Sequence, residues 1–332
     1  MKFFSKLTAA TALVSAMAVV PAVAAEFEFK FANVEAPQSI GGQATQAFAN
    51  CVQEGSNERI NITIFPSGAL GNQTDNLESI RTNLIDFTQV VSPIVTVDPL
   101  LSVFTLPYIF RDRDHVDRVM HGPVGSFVAE RLAARNVIAI GYWEGGFRQI
   151  TNNVRPIHTP ADLEGIKLRT PSDLSRIMLF QSLGANASAL PWSEVYSALQ
   201  TGVYDGQENP ALYVEDANLF EVQNYLSFTS HVYGVSYLVM SEQAYDSLPQ
   251  DLRVVVRECG RISGEESVAY GAQADAEAEE RAIARGMEVN TADVAAFMAA
   301  AQPLHMEMIS NTMSDEDAET ARALLTSIQN TH

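Results

Sequence analysis

The chain has 332 residues, a formal net charge of −19 and two cysteines. That charge disfavours binding to nucleic acid or to an anionic lipid surface, and the length is enough for a large core divided between two domains. Lys2 and Lys6 precede an apolar run from Leu7 to Val20, followed by Ala22-Val23-Ala24-Ala25. This pattern predicts a secretory signal peptide over residues 1–25, cut after Ala24 or Ala25. No cysteine stands at the cut to anchor a lipoprotein, and no later stretch has the length and polarity of a membrane span. Removal of the leader leaves about 307 residues and a formal charge of −21.

Phe27 to Phe31 alternates apolar and charged residues, the pattern of a half-exposed strand. Ile40 to Gln53 reads as a helix, and Ile60 to Phe65 as a second alternating strand. After the loop marked by Gly68 and Gly71 a helix is expected to about Asn83, then a strand from Phe87 to Val91. Leu106 to Phe110 is an apolar loop; Asp114 to Met120 and Val124 to Ala134 are helices. Val137 to Tyr142 is a buried strand, interrupted by Gly145-Gly146. A second round of alternation follows. Strands are expected at Arg148–Asn152, Ile166–Thr170, Ala187–Leu190 and Tyr204–Gln207, with helices at Leu174–Leu183 and Ser193–Thr201. Tyr225 to Val232 leads back, and Tyr237 to Met240 returns to the first sheet. Pro249 to about Ala284 reads as one long helix with weak breaks at Gly260, Gly264 and Gly271, and Thr291–Met313 and Asp315–Gln329 are closing helices. Strands alternating with helices define an α/β protein with an open sheet.

No catalytic pattern emerges. There is no nucleophile elbow or Walker loop, and the six histidines (His115, His121, His158, His231, His305 and His332) form no pair at metal-ligand spacing. Asp315-Glu316-Asp317 lacks the spacing of a calcium loop and reads as a helix start. No cofactor or metal is expected.

The densest stretches are Gly146-Phe147-Arg148-Gln149-Ile150-Thr151-Asn152, Lys167-Leu168-Arg169-Thr170-Pro171, and the run from Pro191-Trp192 to Asp205-Gly206-Gln207-Glu208-Asn209-Pro210. Together they resemble the solute-binding proteins of TRAP (tripartite ATP-independent periplasmic) transporters, in their dicarboxylate-binding-like class. Phe65 to Gly71 and Leu106 to Phe110 are weaker echoes. The resemblance implies an α/β periplasmic binding protein of two domains, each with a mixed sheet, around a central ligand cleft, with a long helix spanning both. Domain I would comprise 26–146 and a return over 236–332, and domain II 147–235. The implied function is periplasmic capture of a small organic acid by a monomer, by domain closure, and its delivery to TRAP membrane permease subunits. An ABC-type receptor for an organic anion differs only in partner, and a periplasmic enzyme acting on an acid is the rival from another class.

Arg169 stands where an extended segment meets a loop, and its guanidinium fork matches a carboxylate with two parallel bonds. It also falls on the family's carboxylate-binding position. Arg148 either contacts the ligand or braces the hinge in an ion pair. Asn209 can donate and accept at once and ends the family's ligand-contacting DGQEN motif, Trp192 stacks on the ligand or joins the core, and Ser172 is a polar candidate. The opposite wall is assigned to Asn33, Gln73, Val90 and Ser92. Some family members carry an acid near Val90 and Val91, and its replacement here implies a smaller or less hydroxylated ligand. Cys51 and Cys259 fall in helices that the resemblance places in one domain. They form either a disulfide, as an exported protein permits, or two buried thiols.

Overall fold

The structure, a computed structural model, describes residues 25–332. The leader expected up to Ala24 lies outside the described residues. Ten strands form one continuous network: β1 (Phe27–Ala32), β2 (Ile60–Phe65), β3 (Phe87–Val90), β4 (Val137–Asn152), β5 (Lys167–Thr170), β6 (Asn186–Ala189), β7 (Gly206–Pro210), β8 (Tyr225–Phe228), β9 (Tyr233–Ser241) and β10 (Glu288–Thr291). The main order is β2-β1-β3-β9-β4-β7-β5-β6, and β8 pairs with β4 and β10. In the first half, β1 is parallel to β2 and β3, while β9 is antiparallel to β3 and β4. In the second, β4 is antiparallel to β7 and β8, and β5 is parallel to β6 and β7. Each half is therefore a mixed sheet, and β4 and β9 join the two.

The Gly145-Gly146 pair does not interrupt β4 as the sequence suggested. The strand runs through both halves with register shifts between Ala139 and Gly141 and between Glu144 and Phe147. A bulge redirects a strand without ending its pairing, and Gly146 supplies the positive φ of 85° that this one needs. Gly145 lies so close to β9 that an added Cβ would sit 1.9 Å from the Gly234 carbonyl oxygen. Glycine here permits two strands to approach; it does not break one.

The long helix, Gln250–Ala284, has 35 residues and so a length of about 52 Å. Its weak-break positions prove to be its packing face. Gly260, Gly264, Ser267 and Gly271 are buried and recur at helical spacing. A Cβ on Gly260 would meet Ile140, on Gly264 the Tyr142 carbonyl, and on Gly271 the Glu144 side chain, each inside 3 Å. The helix backbone thus rests directly on β4. Its early part joins the Phe31, Phe48 and Trp143 cluster, and Ala278 and Ala282 join the Val195, Val214 and Leu226 cluster of the other half.

The C-terminal segment departs from the expected course. Instead of one helix from Thr291 to Met313, the chain forms β10 and then the helices Val294–Ala301 and His305–Thr312, with a 3-10 turn at Gln302–Leu304 between them. Pro303, lacking an N–H, suits that turn and not a helix interior. β10 pairs with β8, so part of the segment expected to return to domain I pairs with a strand expected in domain II. Among the described residues, no helix is long and apolar enough to cross a membrane.

Cys51, in the first helix (Ile40–Gly55), is bonded to Cys259 in the long helix, across a sequence separation of 208 residues. A cross-link closing so long a loop removes much of the unfolded chain's freedom, and loss of a native bridge typically costs about 2–4 kcal/mol. Cys51→Ser/Cys259→Ser is expected to lose that much in denaturant unfolding. Labelling of unreduced, denatured wild-type protein is expected to give no thiol adduct; two adducts per chain would rule the bridge out.

Candidate ligand-binding site

A cleft with about 640 Å³ of empty space, part of it open to solvent, lies between the two halves. Its second-half wall is built from strand ends and the loops that leave them, where ligands of open α/β sheets collect. Arg169 comes from β5, Asn209 from β7 and Arg148 from β4, while Pro171, Ser172, Leu190, Pro191, Trp192 and Tyr213 complete the wall. Glu35, Asn72, Gln73, Thr74, Val91, Ser92 and Pro93 face it from the first half. Asn72 caps the helix Gln73–Arg81 in a reciprocal capping box with Asp75. The electropositive N-terminal turn of that helix therefore borders the cleft.

Arg169 is 3 % exposed and donates through Nε and Nη2 to the Leu190 carbonyl. Burial pushes its guanidinium down to about 9, which leaves it charged at neutral pH. Arg148 is held as a fork. Nε donates to Glu208 Oε2 at 2.6 Å, and Nη2 to Glu208 Oε1 at 3.1 Å and to the Glu208 carbonyl. The two readings of Arg148 are thus compatible, since it is ion-paired and lines the cleft. Among the described residues, Nη1 of neither arginine meets a hydrogen-bond acceptor.

Sequence reasoning missed the group that orients Arg148. Glu208 lies in the same motif as Asn209, but it faces away from the cleft and is fully buried. It accepts from Arg148, from Arg176 Nη1 at 2.8 Å and from His231 Nε2 at 2.9 Å. Burial alone would raise its carboxyl; Arg148, Arg176 and His231 more than offset this and hold it well below the usual carboxylate range. Burial pushes His231 down to about 4, so the ring is neutral, with Nε2–H toward Glu208 and Nδ1 accepting from Thr229. A two-residue strand period was the available signal, for Glu208 must point opposite to Gln207 and Asn209.

Asn209 donates to Gln207 Oε1 at 2.5 Å, a neighbour two residues back on the same face of β7 and not the turn backbone. Trp192 packs edge-on against Tyr213, with ring centroids 5.7 Å apart, while still facing the cleft. Ser172, Gln73 and Ser92 line the cleft, and Gln73 also accepts from the Val91 N–H.

Asn33 and Val90 do not belong to the wall. Asn33 is turned inward, donating to Thr45 Oγ1 at 2.8 Å and to the Gly41 carbonyl, and accepting from the Glu35 N–H. It shapes the loop that carries Glu35. Val90 is fully buried in the core, and the cleft takes Val91, the first residue beyond β3. Val91 stands in the cleft where some family members carry an acid, and the acid of this cleft comes from elsewhere. Glu35, two residues beyond Asn33, supplies a buried carboxylate from a different loop. Burial raises its pKa, and bonds from Ser39, Tyr213 and Gly41 oppose the rise.

The fold and cleft define a two-domain binding protein with a charged pocket at its hinge. Residues 31–312 match the bacterial extracellular solute-binding protein family 7, and the chain belongs to that family. It is 31% identical over 257 residues to the C4-dicarboxylate-binding periplasmic protein of Rhodobacter capsulatus, covering 76% of each chain. Among solved structures it resembles a TRAP periplasmic solute-binding protein from a Bordetella with density assigned to pantoate (32% identity, TM-score 0.86, 92% of this chain and 99% of that one). It also resembles one from a Polaromonas bound to D-erythronate (26% identity, TM-score 0.87, 92% of this chain and 99% of that one).

Asp216 stands one turn beyond Tyr213, on the short helix Leu212–Asp216. Burial, followed by the charge of Glu35, pushes its carboxyl up to about 6, and its Oδ2 is buried without a partner. A carboxyl with a native pKa above its unfolded value of 3.8 favours folding below that value, and the benefit is lost as pH rises through about 6. After allowance for solvent screening this amounts to about 1–2 kcal/mol. Asp216→Asn should therefore exceed wild type in stability by that margin at pH 7.5 and match it at pH 4. Unfolding curves at the two pH values check this, and a pH-independent difference would contradict it.

Proposed function

We propose that the chain is the extracytoplasmic receptor of a TRAP transporter. Exported with a leader cut after Ala24 or Ala25, it acts in the periplasm as a monomer. It binds a small organic acid by closing domain II (147–235) on domain I (26–146 and much of 236–332). The acid then passes unchanged to the membrane permease for ion-coupled uptake, so the protein is a receptor and not an enzyme. The observation that carries this reading is the convergence of two buried arginines, Arg148 and Arg169, on one cleft in a protein of charge −19. Arg148 already pairs with Glu208, whereas Arg169 meets only a backbone carbonyl; a buried cation is costly to desolvate unless an anion meets it, and a bound carboxylate supplies that partner for Arg169.

In this reading Arg169 and Arg148 grip the carboxylate, Asn209 adds a polar contact, and Trp192 covers the ligand's carbon skeleton. Gly145-Gly146 and Gly234 form the crossing about which the domains rotate. Closure draws its free energy from the ligand's tighter binding to the closed state.

Three measurements test it. Mass spectrometry of small molecules released on denaturation should identify an acid, recovered chemically unchanged after incubation with the protein. Scattering at saturating acid should then show a smaller radius of gyration, and an unchanged profile would count against closure. Arg169→Ala should weaken binding by about 2–5 kcal/mol, roughly thirty- to several-thousand-fold. Arg169→Lys should recover only part, because it keeps the charge and loses the fork. An Arg169→Ala variant that folds and titrates within about threefold of wild type, less than half a decade, would remove the clamp.

A further inference from the structure

The cleft is not uniformly suited to anions. Opposite Arg148 and Arg169, Glu35 lines the same cavity and is 4 % exposed. Its partners are arranged as donors to an ionised carboxylate: Tyr213 Oη to Oε1 at 2.9 Å, Ser39 Oγ to Oε2 at 2.9 Å and the Gly41 N–H to Oε2 at 3.0 Å. The Gly41 N–H can only donate, so Oε2 is an acceptor. The Gln89 side chain also lies against the carboxylate, and all of these partners are neutral donors. Among the described residues, no lysine, arginine or histidine pairs with Glu35, and the nearby acid Asp216 adds negative charge.

We propose that Glu35 sets the chemical class of the ligand. The ligand carries one carboxylate, for the arginines, and a hydrogen-bond donor at its far end, a hydroxyl or an ammonium, for Glu35. A second carboxylate at that end is excluded. This rests on the organic-acid receptor reading above and narrows it. Two carboxylates meeting in a desolvated cleft cannot both stay charged at low cost, whereas a hydroxyl or ammonium can donate to Glu35. Tyr213 is the positioning residue. It reaches Glu35 from the other half, so the acid is fixed when the two walls come together.

The test uses acids matched in length, at four, five and six carbons. At each length a polyhydroxy monocarboxylate, an ω-amino acid and an α,ω-dicarboxylate are titrated calorimetrically into the mature protein freed of co-purified ligand. At the best length, a donor-bearing acid should bind at least a hundredfold more tightly than the dicarboxylate, and the stronger of the two donor types identifies the group. Glu35→Gln preserves size and an acceptor but removes the charge. It should narrow the ratio at least tenfold, partly by improving the dicarboxylate, a gain that mere damage to the fold would not produce. Tyr213→Phe should narrow the ratio less.

A dicarboxylate that binds wild-type protein as tightly as its matched partners overturns the proposal while leaving the receptor reading intact. So does a ratio unchanged within threefold in Glu35→Gln. Silence from every acid at every length overturns both.

Discussion

The rest of the molecule depends on a close backbone contact. The long helix lies on β4 through Gly260, Gly264, Ser267 and Gly271, and at the glycines it adds no side chain of its own to the contact. Hydrogen bonds lock the same seam: Trp143 Nε1 donates to Ser263 Oγ at 3.0 Å, and the Glu144 N–H to Ser267 Oγ at 2.9 Å. Glu144 in turn gathers Arg113 and Tyr233, and Arg113 reaches Asp275 further along the helix. A two-domain protein joined by strands alone would be loosely hinged. Here the strand that crosses between domains is pressed against a rigid rod. At the bulge of Glu144–Phe147 the glycines let this strand pass in direct backbone contact with Gly234.

That constraint passes directly into the site. Arg148 follows the bulge by one residue, so its position is set by the path β4 takes out of the seam. Its direction is set by Glu208, which is held in turn by Arg176 and His231. A buried ion pair adds little net stability, because desolvation consumes most of the attraction. Its value here is geometric. A long, flexible guanidinium is frozen with one face committed to the protein and Nη1 left over. Arg169 is restrained more economically, by a single backbone carbonyl. Pre-ordering both side chains lowers the entropy lost when a ligand arrives.

The sequence conveyed the parts whose physics is local. Alternation revealed β1 and β2, and apolar periodicity placed the first helix and most of the long one. A dense polar motif led to Arg148, Arg169 and Asn209. It was misleading where a residue's meaning depends on what approaches it. Glycine in the long helix reads as weakness until the strand beneath it is known, and Gly145-Gly146 reads as a break until β9 is seen to pair across it. β10, Glu-Val-Asn-Thr, is four residues without periodicity and exists because β8 offers it an edge. The first-half wall was legible only to within a residue or two. Val90 and Val91 differ only in which of them ends β3, and the Glu35 side chain is aimed by the loop that Asn33 ties to Thr45. None of this has a signature in composition.

The electrostatics of the cleft follow from the same division between local and global. A net charge of −19 repels an incoming acid, but the field of exposed charges decays over about 8 Å at physiological salt. Inside the cleft, the two arginines and the start of the Gln73–Arg81 helix act at contact distance in a medium of low polarisability, where attraction is several times stronger than in water. Closure therefore changes the sign of the field a ligand experiences, from weakly repulsive outside to strongly attractive at one end. At the other end Tyr213 joins Glu35 across the gap, and Ile40 packs with Leu212 and Tyr213. These direct contacts between halves stabilise the closed form whatever the ligand. The ligand then needs to add only the remaining differential affinity to shift the population. With Arg148 and Arg169 on one wall and Glu35 on the other, an acid that sets a second carboxylate against Glu35 adds less of it under the proposal above.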